Sequence, residues 1–239
     1  MSAIIGFFAK MMGYVMRFIY NVVDNYALSI VIITVLVRLI ILPLYAKQQK
    51  EMAKMNELQV KVQEIQERYA RDRQTMNQKI NELYADAGVS TYSGCLPLLI
   101  QFPFMLGLYD LLRQPLNYMM QYPYMIAAVH EKFLWVADLS QPDSWILPIL
   151  AGLTTYLTTV ASMAGQSDAS AGAMKGMKYF MPLMIFLLGR SLPAGLSLYW
   201  IVGNIFMVIQ TLISNKKRAK EKAQKEIEAE VLKRKKAEK

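Results

Sequence analysis

Four residues carry the only chemistry that looks out of place in this chain: Arg38, Gln101, Trp200 and Asn204. Each is polar or amphipathic, and each sits inside an otherwise apolar run. Arg38 lies in "YALSIVIITVLVRLIILPLYAKQQK", residues 26–50. It is about eight residues from the basic end of that run, roughly 12 Å deep at 1.5 Å per residue. An arginine at the centre of a membrane helix costs about 2.5–3.5 kcal/mol on insertion scales. Snorkelling to the headgroups and a buried ion pair are the structural alternatives. No acidic residue lies deep in another run: Asp110 is near the end of the second, and Asp24 is outside the first. Without a carboxylate the charge needs water or neutral polar groups, and an intramembrane ionisable group is a site hypothesis by default. Trp200 and Asn204 lie four apart and share a helix face. Asn and Gln in such helices are often only interhelical glue, worth about 0.6 kcal/mol on average. Convergence of all four would instead make a hydrated groove.

Covalent and metal chemistry find little support. The one cysteine, Cys95, allows no intrachain disulfide and reads as small apolar packing. The one histidine, His130, falls in a loop, and no His/Cys/carboxylate group has metal-ligand spacing. Ser197, in "AGLSLYW", has no base within its run, and there are no paired intramembrane aspartates. The reading is a protein that acts by binding, with no cofactor, rather than an enzyme.

The elements that must position these residues are membrane helices. Of the 239 residues 54% are hydrophobic, and they come in long runs nearly free of charge. Runs of about 18–20 apolar residues match a hydrocarbon core of roughly 30 Å, and such spans are helical because every backbone polar group must bond internally. The net charge of +9 is concentrated between Lys47 and Lys79 and again from Lys216. Nucleic-acid binding is one explanation. The positive-inside rule is the better one, because each basic cluster begins where an apolar run ends.

Residues 1–25 lack a basic start and an A-x-A site, so a cleaved signal is the weaker reading. Lys10, Gly13, Arg17, Asn21 and Asp24 recur on one side, with Phe7, Met11, Met12, Val15, Phe18, Ile19 and Val22 on the other. That pattern predicts an amphipathic helix lying in the membrane surface. The first span is 26–46. Residues 47–92 predict a cytoplasmic helical hairpin, because the stripe Met55, Leu58, Val62, Ile65, Tyr69 stops at Asp72 and resumes at Met76. Its turn is placed near 71–74, with Gly88 in the position of a C-terminal cap. One continuous helix is the alternative. The second span is 93–112, with an extracytoplasmic loop over 113–144 whose Tyr118, Tyr122, Tyr124 and Trp135 suit headgroup level. The third span is 145–163 and a cytoplasmic loop covers 164–176. The last apolar region is one long helix or two spans, 177–192 and 196–214, with Arg190, Pro193 and Gly195 between. Two spans put the basic tail, 215–239, on the same side as the hairpin, so the expectation is five spans with the N-terminus outside and the C-terminus in the cytoplasm.

Three stretches, "VRLIILPLYAKQQKEM", "GCLPLLIQFPFMLGLYDLL" and "LPAGLSLYWIVGNIFMVIQ", resemble the core spans of the YidC/Oxa/Alb family of membrane protein insertases. The resemblance covers nearly the whole chain after the N-terminal helix. It implies an all-α plasma-membrane protein with five transmembrane helices around a hydrophilic groove. Arg38 would be the groove arginine, with Gln101, Trp200 and Asn204 in the lining. It further implies nascent membrane proteins as clients, membrane lipids and the Sec translocon as partners, and ribosome contact through the basic tail and cytoplasmic loops. The large extracytoplasmic domain and extra first span of many diderm members have no counterpart in this sequence, and no cysteine near the N-terminus matches the lipoprotein signal of many monoderm members.

Overall fold

The computed structural model describes residues 2–88, 96–119, 121–163 and 168–237. Cys95 and the expected start of the second span, 93–95, lie outside them. The described residues form nine helices: α1 (Ser2–Val23), α2 (Tyr26–Arg68), α3 (Arg73–Asp86), α4 (Leu96–Arg113), α5 (Pro115–Met119), α6 (Pro123–Ala128), α7 (Ile146–Met163), α8 (Asp168–Gly189) and α9 (Ala194–Ala237). Among them, three stretches are long and apolar enough to cross a membrane: Tyr26–Glu51, Ile146–Met163 and Ala194–Glu221. Lys178–Gly189 of α8 is a shorter apolar stretch.

At two of the boundaries read in the sequence the backbone helix is continuous. The first span and the first arm of the hairpin share one helix: α2 runs through Pro43 and on to Arg68, 43 residues, roughly 65 Å long. Likewise α9 carries the last apolar run and the basic tail in one helix of 44 residues. The change from apolar to charged composition alters what surrounds a helix, but not its backbone bonding. In addition, residues 168–176, expected as loop, begin α8.

α2 turns into α3 at residues 69–72. Asp72 caps α3, its carboxylate accepting from Thr75 N at 3.1 Å and from Thr75 Oγ1 at 2.6 Å. These Thr75 bonds hold the Asp72 carboxyl below the usual range. Gly88, just past α3, takes a φ of +63°, a left-handed conformation that costs glycine little.

The apolar residues of α1 divide between two faces. Ala9, Met12, Met16 and Ile19 are buried in the core, following steps of three and four. Phe7, Phe18 and Val22 stay exposed. The buried face packs on α4 so closely that a Cβ on Gly107 would stand 2.9 Å from Phe8 Cβ. α1 and α2 meet at Asp24, whose φ is +51°. Asn25 caps α2 by accepting from Leu28 N at 2.8 Å. Glu131, from the 113–144 loop, then ties both helices: Oε2 accepts from Tyr26 N at 2.8 Å, and Oε1 accepts from the Tyr20 hydroxyl. That loop does more than rest on the surface. Met125, Ala128, Val129 and Leu139 enter the core. The Leu139 and Gln141 carbonyls accept from Gly195 N and Ala194 N at 3.0 and 2.8 Å, satisfying the first turn of α9.

α7 sits between α8 and α9. It approaches α8 through Gly152, where a Cβ would lie 3.1 Å from the Pro182 carbonyl oxygen. Small residues at such crossings let backbones come close. The outward faces are greasy: Ile149, Leu153 and Leu157 of α7, Leu183 and Leu187 of α8, Ile205 and Ile209 of α9 are all exposed. A contiguous apolar surface of this kind would aggregate in water and is the ordinary lipid-facing surface in a bilayer.

Glu131→Ala should release the α1–α2 joint. The Tyr26 N–H would lose its partner, a cost of about 1–3 kcal/mol for a buried group. Hydrogen exchange should rise at Tyr26 and along α1 while α7 stays protected; unchanged exchange in α1 would show that the clamp does not hold it.

Candidate functional site

The site begins with one inward stripe of α2. Thr34, Arg38, Ile41, Tyr45 and Gln48 follow in steps of four and three, so they lie along one face. In an ordinary helix seam such positions would be aliphatic. Here Arg38, Tyr45 and Gln48 are buried, at 5%, 4% and 3% exposure.

The Arg38 guanidinium meets α9. Its Nη1 donates to the Tyr45 hydroxyl at 3.1 Å and reaches Met207 Sδ at 3.6 Å. Its carbon lies 5.7 Å from the centre of the Tyr45 ring. On the other side it presses on Gly203, where a Cβ would fall 2.5 Å from Nη2 and 3.2 Å from Nε. As placed, the guanidinium fills the space that a side chain at 203 would take. Among the described residues, no ion pair involves Arg38. Its side-chain partners among the described residues are a hydroxyl and a thioether, with no carboxylate to match the charge.

The other three predicted residues are placed differently. Gln101 of α4 donates from Nε2 to the hydroxyl of Tyr199, a side chain 1% exposed and four residues before Gly203 on α9. Gln101 thus reaches the α9 face that carries Arg38, through Tyr199. Trp200 is 9% exposed and belongs to the apolar core. Asn204 turns to α7: its Nδ2 donates to Thr155 Oγ1 at 2.8 Å and Thr154 Oγ1 at 3.3 Å, and Thr158 Oγ1 donates to its main-chain carbonyl at 3.4 Å. Trp200 and Asn204 share a face of α9, but the guanidinium lies on the neighbouring face of Tyr199, Gly203 and Met207.

Toward the basic end the seam stays polar. Gln49 Nε2 donates to the buried Thr211 Oγ1 at 3.1 Å, while the Gln49 Oε1 and both polar atoms of Gln48 are buried without a partner. Tyr45, Gly203, Met207 and Tyr199 were missed as surroundings of Arg38. The spacing signal existed: Tyr45 is seven residues beyond Arg38, two turns along the same face.

A polar cluster also stands on the 113–144 loop. His130 Nδ1 lies 3.0 Å from both Asp138 Oδ2 and Ser140 Oγ, and Ser140 Oγ donates to Asp138 Oδ1 at 2.7 Å. Burial works to raise the Asp138 carboxyl, but the bonds from Ser140 and His130 prevail and hold it low. In a nucleophilic relay the serine and the carboxylate occupy opposite ring nitrogens. Sharing one nitrogen makes this a turn-forming cluster.

A model of the family described as 60Kd inner membrane protein matches residues 18–222, which take in α2 to α8 whole and most of α9. The chain belongs to this family. Its relatives include a protein named membrane protein insertase YidC 2 from Listeria innocua, 40% identical, with 89% of this chain and 74% of that one covered. The membrane protein insertase MisCA of Bacillus subtilis is 36% identical, covering 89% of this chain and 75% of its own. The fold matches a crystal structure of an active YidC insertase with a TM-score of 0.62 at 26% identity, covering 85% of this chain and 45% of that chain. For a 60Kd inner membrane protein family member, the Arg38 seam therefore lies within the matched core, while residues 2–17 of α1 fall outside the family match.

Gly203 and Arg38 are coupled through space. Gly203→Ala should destabilise the protein by about 1–3 kcal/mol through overpacking. In an Arg38→Met background the same change should cost less, with a coupling of at least about 0.5 kcal/mol in thermal unfolding of the detergent-solubilised protein. Strict additivity would show that the guanidinium does not depend on the gap.

Proposed function

We propose that this protein is a membrane protein insertase that works by binding, with no covalent step. A polar, preferably acidic, extracytoplasmic segment of a client enters a hydrated groove beside Arg38. The apolar part of the client slides out against the exposed apolar faces of α7 and α9 into lipid. The groove shortens the hydrocarbon path and so lowers the cost of moving polar groups. The observation that carries this reading is the buried Arg38 charge, which among the described residues has a hydroxyl and a thioether as side-chain partners and no carboxylate. A charge without a carboxylate of its own is ready for one brought from elsewhere.

On this reading α2, α4, α7, α8 and α9 are five spans, with the N-terminus outside and the α2–α3 hairpin and the tail in the cytoplasm. Gln101, through Tyr199, lines the arginine's side of the bundle, Trp200 backs it from the adjoining apolar core, and Asn204 holds α7 against α9. The clients are nascent membrane proteins, received alone or with the Sec translocon. The basic continuation of α9, from Lys216, faces ribosomal RNA or anionic lipid.

Arg38→Ala and Arg38→Lys separate charge from shape in a cell depleted of its own insertase. Insertion of a client with an acidic translocated segment should fall at least several-fold for Arg38→Ala and be partly kept by Arg38→Lys. Undiminished insertion by Arg38→Ala would overturn the role given to the charge.

A further inference from the structure

Among the described residues, Gln48 is a buried side chain with both of its polar atoms unpaired. It is 3% exposed, and neither Nε2 nor Oε1 has a hydrogen-bond partner. Gln49 beside it bonds Thr211 through Nε2 but leaves Oε1 buried and unpaired. An unmet buried donor or acceptor costs about 1–3 kcal/mol, and a methionine of similar volume would avoid the cost. The seam keeps an amide instead.

The position says what would complete it. Gln48 is ten residues past Arg38 on the same stripe, roughly 15 Å nearer the cytoplasm at 1.5 Å per residue. Lys47 and Lys50 flank it and are exposed, as suits the headgroup border. This is the depth at which an entering chain loses the water on its own backbone. The group is neutral, with a donor and an acceptor on one planar unit. Its complement is another amide, and the peptide unit is the one amide every polypeptide carries whatever its sequence.

We propose that Gln48, assisted by the free oxygen of Gln49, is a binding site for the main chain of an entering client, pairing its amide with a peptide N–H and C=O. This rests on the insertase reading and deepens it. Arg38 selects for charge, whereas Gln48 accepts any sequence and receives the backbone first. A captured water is the alternative partner, and it predicts a different outcome.

The test uses full-length protein in liposomes, with two clients that differ only in an acidic or a neutral translocated segment. Gln48→Met removes both hydrogen-bonding groups at similar volume. The expected result is an unchanged or raised Tm with at least threefold slower insertion of both clients alike. In parallel, Gln48→Cys in a Cys95→Ala background should form disulfides with cysteines placed at successive positions of a stalled client, without preference for one side chain. Wild-type insertion rates in Gln48→Met with a raised Tm would assign the amide to water alone and overturn the inference, leaving the insertase reading intact. If Gln48→Met fails to fold, the crosslinking decides: no client disulfide at position 48 overturns it. A wild-type protein that inserts neither client sinks the insertase reading and this inference together.

Discussion

The contact between the Arg38 guanidinium and Gly203 sets the geometry of the bundle. A charge of this size taken into a low-dielectric seam must find hydrogen bonds or carry a large desolvation penalty. Here it finds a hydroxyl and a thioether, and it fills the space that a side chain at 203 would take. That fit goes with one register of α9 against α2, and the other contacts follow it. With Gly203 and Met207 facing Arg38, Tyr199 falls opposite Gln101, and Asn204 is turned a sixth to a third of a circle away, onto the threonines of α7. The seat of one arginine is thereby consistent with the placing of three neighbouring helices.

Met and unmet polar groups occur at both ends of the described bundle. On the side of the 113–144 loop, Glu131 serves α1 and α2, Asp138 serves Ser140 and His130, and the Leu139 and Gln141 carbonyls serve the start of α9. Beside them Arg17 Nε and the hydroxyls of Tyr26 and Ser197 are buried without a partner. Along the α2–α9 seam toward the basic end, both polar atoms of Gln48 and the Gln49 Oε1 are unpaired. Satisfied networks rigidify, and unsatisfied ones store the cost of their own desolvation. The seam differs in gathering three unpaired atoms on two adjacent amides.

Fold class and family were legible because they rest on long-range statistics of the sequence. Apolar runs, basic flanks and three spaced motifs survive without any knowledge of contacts. Arg38 was legible for the same reason, since a charge in such a run is rare. Its surroundings were not. Which of Gly203 or Asn204 faces the arginine differs by one residue, a rotation of about 100° on a helix. Spacing alone fixes that Trp200 and Asn204 share a face, but not which helix that face meets. The inward face of α1 was hidden for a related reason: Ala9, Met12, Met16 and Ile19 look no greasier than Phe7 and Phe18, which point out. The continuity of α2 and α9 was obscured by composition, because a shift from leucine to lysine marks a change of medium and leaves hydrogen bonds along the axis untouched.

That continuity makes α2 a lever. From Arg38 to Arg68 the helix runs without a break for thirty residues, roughly 45 Å at 1.5 Å per residue. A push of about 4 Å at its far end tilts the shaft by only about 5°. Because α2 is a single helix, that tilt is carried along the shaft to Arg38, where the guanidinium stands against Gly203 of α9.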